Sequence, residues 1–130
     1  MLLLSSSGVA EVAICEEVGS RAFGQDGSIN DFERIDELEI NQRTYEIRWS
    51  ESDRSASVLV ANRFFYQSEF FRTTDDLVTF LVKDATNTWL YSVYPNAKRA
   101  IVSHHMTDIF GGDGGVVVFS GLLECNIGEE

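Results

Sequence analysis

Polar and apolar residues alternate along much of this chain with a period of two. In RTYEIRWS, residues 43–50, Tyr45, Ile47 and Trp49 point one way, with Arg43, Glu46 and Arg48 polar between them. That period predicts a half-buried strand. SASVLVA at 55–61 reads the same way, and Ser52-Asp53-Arg54 between them is a turn. The second half carries the strongest β signal. DLVTFLVK at 76–83 is almost continuously apolar, and TWLYSVY at 88–94 is aromatic and β-branched. KRAIVSHHM at 98–106 and GVVVFSGLLECN at 115–126 are two further strands. The turn at Pro95-Asn96-Ala97 holds the chain's one proline. Such short loops cannot make a parallel crossover, so the strands form an antiparallel meander. GVAEVAIC at 8–15 is the expected first strand, and GSRAFGQDGS at 19–28 a polar loop.

One segment departs from this period. In SINDFERIDELEI, 28–40, Ile29, Phe32, Ile35 and Leu38 recur every third residue, and Ser28 with Asp31 resembles a capping box. This predicts a short amphipathic helix. The acidic group Asp31, Glu33, Asp36, Glu37 and Glu39 then lies opposite the apolar stripe. It reads as a solvated face rather than as paired catalytic carboxylates.

The fold expected is mainly β. It is a single antiparallel up-and-down barrel, or a strongly curved meander, of about seven or eight strands with one short helix. The alternative is an α+β layout with the helix packed on a curved antiparallel sheet. A chain of 130 residues fits one β-rich domain over 1–130.

Charge narrows the partners. The net charge is −11, from 21 acidic and 10 basic residues. Nucleic-acid binding draws on Lys and Arg against phosphate, so no nucleic-acid partner is expected. No apolar run is long enough for a membrane helix, so no transmembrane segment is expected. MLLLSSSGVAEVA at the start reads as a first strand or frayed end, or as the remnant of a signal peptide within residues 1–10. The two cysteines, Cys15 and Cys125, have no metal-binding spacing. As a disulfide they would close nearly the whole chain, worth roughly 4–5 kcal/mol on a loop-entropy argument, and would need an oxidising compartment. Unpaired, each is a small buried hydrophobe. Closure of a barrel would bring the first and last strands, and hence Cys15 and Cys125, together.

Two stretches carry candidate chemistry. HHMTDIFGGDGG at 104–115 has two histidines and two aspartates among glycines. Neighbours in a strand point to opposite faces, so His104 and His105 cannot easily share a metal. His105 with Asp108 gives two ligands where zinc needs three or four. The glycines fit a hairpin turn. An enzyme would have to centre on His104, His105 and Asp108. The serines lack a Gly-x-Ser-x-Gly elbow, and the glycine run lacks the lysine and helix of a phosphate loop. No catalytic residue and no cofactor is therefore assigned.

RFFYQSEFFR at 63–72 is the other stretch. As one strand it puts Phe64, Tyr66 and Phe70 on one face and Phe65 and Phe71 on the other, flanked by Arg63 and Arg72. Covered on both sides, it is core. Open on one side, these residues contact a ligand or partner. The function expected is a non-enzymatic module that binds a small apolar ligand or a protein partner. A structural protein that self-associates as a homo-oligomer through its sheet is the alternative.

A cysteine in the first strand and a Gly-x-x-x-Cys pattern in the last are present as Cys15, Gly121 and Cys125. In this order of strands the chain resembles small bacterial β-rich proteins. The resemblance implies a location in the cell envelope or periplasm, or secretion, rather than the cytoplasm. It implies no activity.

Overall fold

The computed structural model of the protein describes residues 11–24, 29–33, 44–85, 87–106 and 116–129. They form one antiparallel sheet: β1 (Glu11–Gly24), β2 (Ile29–Glu33), β3 (Thr44–Ser50), β4 (Ser55–Val60), β5 (Phe64–Gln67), β6 (Phe70–Thr74), β7 (Leu77–Lys83), β8 (Asn87–Tyr94), β9 (Arg99–Met106) and β10 (Val116–Glu129). Neighbours run in the order β5-β4-β3-β1-β10-β9-β8-β7-β6, with β2 added on β1. The meander expected from the alternating pattern is therefore present, and it curls.

The curl is visible at the two ends of that order. They are consecutive in the chain, separated only by Ser68 and Glu69. Ser68 N–H donates to the Ala56 carbonyl on β4 at 2.9 Å, and Glu69 N–H donates to the Leu81 carbonyl on β7 at 2.8 Å. In two residues the chain leaves one end of the sheet and joins the other. The opposite seam is the long β1–β10 ladder, which runs from Glu11 opposite Glu129 to Gly24 opposite Val116. β5 and β6 do not pair with each other, so the sheet stays a curled half-barrel, but its two end strands are only four and five residues long, and short edges are poor templates for unwanted pairing.

Inward-facing side chains make the core. Ala13 and Cys15 of β1, Ile47 and Trp49 of β3 and Val58 of β4 are buried. Phe71, Phe80, Val82, Tyr91, Val93, Val102, Leu123 and Cys125 face them from the second half. Charges such as Arg48, Arg99 and Glu124 stay on the solvent side, in short ion pairs with Glu46 (2.7 Å) and with each other (3.8 Å). Glu17 is the exception: its side chain is buried inside the sheet, and its Oε1 accepts from Tyr45 Oη at 3.4 Å. Gly121 on β10 makes room for it. A Cβ there would lie 3.3 Å from Glu17 Oε1 and 3.2 Å from Val102 Cγ1.

Three expectations are corrected. First, the helix over 28–40 is absent where the structure describes that segment. Ile29–Glu33 is a strand, with Ile29 opposite Phe23 and Glu33 opposite Gly19. Ser28 and residues 34–40, with Asp36, Glu37 and Glu39, lie outside the described residues. Ile, Asn, Asp and Phe are modest helix formers. β3 pairs with β1 only as far as Glu16, so the backbone from Gly19 onward needs another partner, and β2 supplies it. Among the described residues there is no helix, so the mainly β expectation stands over the α+β alternative. Second, 19–24 is part of β1 and not loop. Third, 63–72 is not one regular strand. The bend at Ser68-Glu69 shifts the alternation by one residue, so Phe71 and not Phe70 turns inward with Tyr66. A one-residue slip exchanges the two faces.

Tight turns set the ends. The β4–β5 turn has positive φ at both Ala61 (56°) and Asn62 (55°), and Arg63 N–H donates to the Val60 carbonyl at 3.0 Å. Positive φ at both central positions is the type I′ pattern, which favours Asn-Gly over Ala-Asn, and Arg63 is a third loop residue before Phe64 pairs with Val60. Residues 1–10 and the glycine run 111–115 lie outside the described residues, and the readings made of them are neither supported nor corrected.

Candidate functional site

Six residues on four strands converge near one end of the curled sheet. Tyr45 (β3), Val60 (β4), Phe64 and Tyr66 (β5), and Trp89 and Tyr91 (β8) line a cavity of about 180 Å³. Register explains the first half of the set. Tyr45 pairs with Val60, Val60 with Phe64, and Val58 with Tyr66, so all point to the interior. β8 comes from the facing wall. Tyr66 and Trp89 meet across the interior with ring centroids 4.8 Å apart, and Tyr45 meets Tyr91 edge-on at 6.2 Å. Phe64 stands at the rim, 49% exposed.

The rings are held from behind. Phe80 stacks on Tyr91 at 4.9 Å and 9°, and His104 stacks on Trp89 at 4.7 Å and 19°. Phe80 thus covers one face of Tyr91, while Trp89 lies between His104 and Tyr66. His104 is itself fixed. Its Nε2 lies 2.8 Å from Asn87 Oδ1, the geometry of an Nε2–H donating to the amide oxygen. The orientation of that amide follows from Asp84, whose Oδ1 accepts from Asn87 Nδ2 at 3.1 Å and from Asn87 N–H at 2.9 Å. An aspartate at the β7–β8 turn thus holds an asparagine, which holds a histidine, which backs a tryptophan.

Burial shapes the titrating groups here. It holds the Tyr91 phenol well above the usual tyrosine range, with the Tyr45 and Tyr66 phenols adding to the shift. It also raises Tyr66, helped by the Asp84 carboxylate. For His104, burial lowers the pKa below the ordinary value. Asp84 pulls it the other way and His105 reinforces the drop. His104 is therefore uncharged at neutral pH.

The aromatic stretch at 63–72 is divided among three environments. Phe64 and Tyr66 belong to the cup, and Arg63 sits with its guanidinium 5.1 Å from the Phe64 ring centroid. Phe71 is core. Phe65 and Phe70 point outward, 61% and 52% exposed. Arg72 borders a shallow outer groove of about 320 Å³ with Phe70 and Leu77. His104 and His105 lie on opposite faces, the second exposed, and Asp108 lies outside the described residues. Among the described residues no three of His, Cys, Asp and Glu gather in a way that could hold a metal ion. No described helix is long and apolar enough to cross a membrane. Cys15 and Cys125 are joined, with Sγ–Sγ 2.07 Å and Cα–Cα 4.0 Å. A hollow of about 360 Å³ lies beside this bridge. Ile14 lines it together with Glu16, Lys98, Arg99 and Glu124, so its walls mix apolar and charged groups.

Reading the sequence missed Trp89 and Tyr91 as partners of Tyr66. Their signal was present as two aromatics of the same parity in TWLYSVY. What the sequence lacks is the fact that β8 faces β5 across the curl. No protein-family model, curated protein or solved structure matches the chain, so the site stands on its own geometry.

Proposed function

We propose that the protein is a non-enzymatic binding module that takes a small organic group into the aromatic cup. One observation carries this reading. The body of the interior is closed by buried aliphatic and aromatic side chains, while Phe64, Tyr66 and Trp89 remain partly exposed around a cavity. Rings that are already stacked lose little freedom on binding, which favours affinity. At about 180 Å³ the cup is smaller than the 300–1,000 Å³ typical of whole-ligand pockets. It suits a headgroup or one ring of a larger ligand. The Cys15–Cys125 bridge fits a module working in an oxidising compartment.

A fragment panel of neutral, cationic and anionic compounds, followed by ligand-observed NMR, tests the reading. Binders should lose affinity at least about tenfold in Tyr66→Leu and Phe64→Ala. If no fragment responds to either substitution, the cup is not a binding site.

A second reading rests on the outer face. Phe70 lies opposite Leu81 and Leu81 opposite Leu90, giving an apolar row across three strands. Its two ends, Phe70 and Leu90, are exposed and Leu81 between them is half-buried, and such a row supports self-association through the sheet. Sedimentation velocity of the wild type and Phe70→Lys tests it, and a wild type that stays monomeric at high concentration removes it.

A further inference from the structure

We infer that the cup's ligand is an organic cation of the ammonium type, recognised by the aromatic rings that line the cup, with Asp84 held beyond Trp89 through Asn87 and His104. The inference rests on the cup being a binding site, and goes further by naming the ligand's charge. Five of the six lining residues are aromatic and none is cationic. Aromatic faces are electron-rich, and a cation within about 6 Å of several ring centroids is attracted to all of them. A neutral guest gains only burial from the same walls. An anion meets the negative side of each quadrupole.

The groups around the rings have the matching sign. The Asp84 carboxylate accepts from Asn87, whose amide oxygen holds the His104 ring stacked on Trp89, so it sits two contacts behind that ring. Glu17 Oε1 accepts the Tyr45 hydroxyl at the tip of that ring. His104 backs Trp89, and its burial disfavours the charged form, so positive charge behind the largest aromatic ring is opposed. The rim already holds one cation over an aromatic ring, since Arg63 stands on Phe64. That arginine competes with a cationic guest. The chain's net charge of −11 draws cations toward the surface as a whole.

The test compares two probes of the same shape on the intact, oxidised protein. Choline carries a quaternary nitrogen, and 3,3-dimethylbutan-1-ol carries a carbon in its place. Calorimetric titration at low salt should give choline about tenfold tighter binding or more. That preference should fall in Asp84→Asn, which keeps an oxygen to accept from Asn87 N–H. It should fall again in Trp89→Phe, and rise in Arg63→Gln. Equal or tighter binding of the alcohol would overturn the cation inference and leave the cup as a site for neutral groups. Binding of neither probe would also overturn it, and the fragment panel would then decide whether the cup binds anything.

Discussion

Cys15 and Cys125 lie directly opposite one another on adjacent strands, one in the first strand of the sheet and one in the last. Both are buried, with the sulfurs turned into the core rather than to solvent. The bridge therefore staples the seam at which the curled sheet would otherwise rely on the β1–β10 ladder alone.

Removing the bridge should lower stability substantially. The cysteines are 110 positions apart. A loop of that length gives about 4–5 kcal/mol on the chain-entropy account. Guanidinium unfolding of the Cys15→Ser/Cys125→Ser protein should show a clearly lower midpoint than the oxidised wild type. Coincident midpoints would mean that the unfolded chain gains nothing from being released.

Gly121 should tolerate alanine poorly and valine hardly at all. A Cβ would meet Val102 Cγ1, Glu17 Oε1 and Phe119 Cε1 at 3.2, 3.3 and 3.4 Å. For alanine, the lower backbone freedom of the unfolded state offsets part of the crowding. Valine adds two methyl groups to a filled site, and a loss of about 1–3 kcal/mol is expected. Thermal melts of both variants measure it. A Gly121→Val protein as stable as wild type would show that the wall of β10 yields freely.

The β4–β5 turn should be improvable. Ala61 adopts φ 56°, where its Cβ crowds the backbone, and Asn62 follows at 55°. Ala61→Asn with Asn62→Gly installs the residues this turn geometry favours. Stability should rise by about 1 kcal/mol. Urea midpoints measure the gain, and a fall would argue that Ala61 has a role outside the turn.

Acid and alkali should act through different rings. His104 has a lowered pKa in the folded state, so the unfolded chain takes up its proton first as pH falls. Its contribution is intact above about pH 6.5 and is lost as pH drops through the folded value. Tyr91 is raised instead, so its contribution holds below about pH 10 and is lost as pH climbs through the folded value. Urea midpoints from pH 5 to 11 should fall at both ends. His104→Gln should flatten the acid limb and Tyr91→Phe the alkaline one. A wild-type acid limb unchanged by His104→Gln would assign it to carboxylates instead.

Strands whose alternation is local were legible in the sequence. Tyr45, Ile47 and Trp49 were placed on one face by alternation, and they are there. The segment at 29–33 misled for a physical reason. Its three-residue spacing is compatible with a helix, but a strand partner was needed by backbone of β1 that no local pattern reveals. Phe70 and Phe71 were assigned to the wrong faces because a single bend at Ser68-Glu69 reverses parity without changing composition. The cup was illegible for a similar reason. Tyr66 and Trp89 are 23 residues apart and meet only because the sheet curls. Aromatic content announced a possible site, and long-range register decided which aromatics form it.

The Ser68-Glu69 crossing divides the chain as well as the sheet. Everything before it, β1 to β5, is one contiguous half of the wall, and everything after it, β6 to β10, is the other. The halves touch along the β1–β10 seam, where a cysteine from each is bonded to the other. Cleavage of the single peptide between 68 and 69 would therefore yield two fragments still covalently paired, in register, with all but the crossing intact. The protein is built as a split pair, and the two halves expressed separately have both a ladder and a thiol on each side with which to find one another.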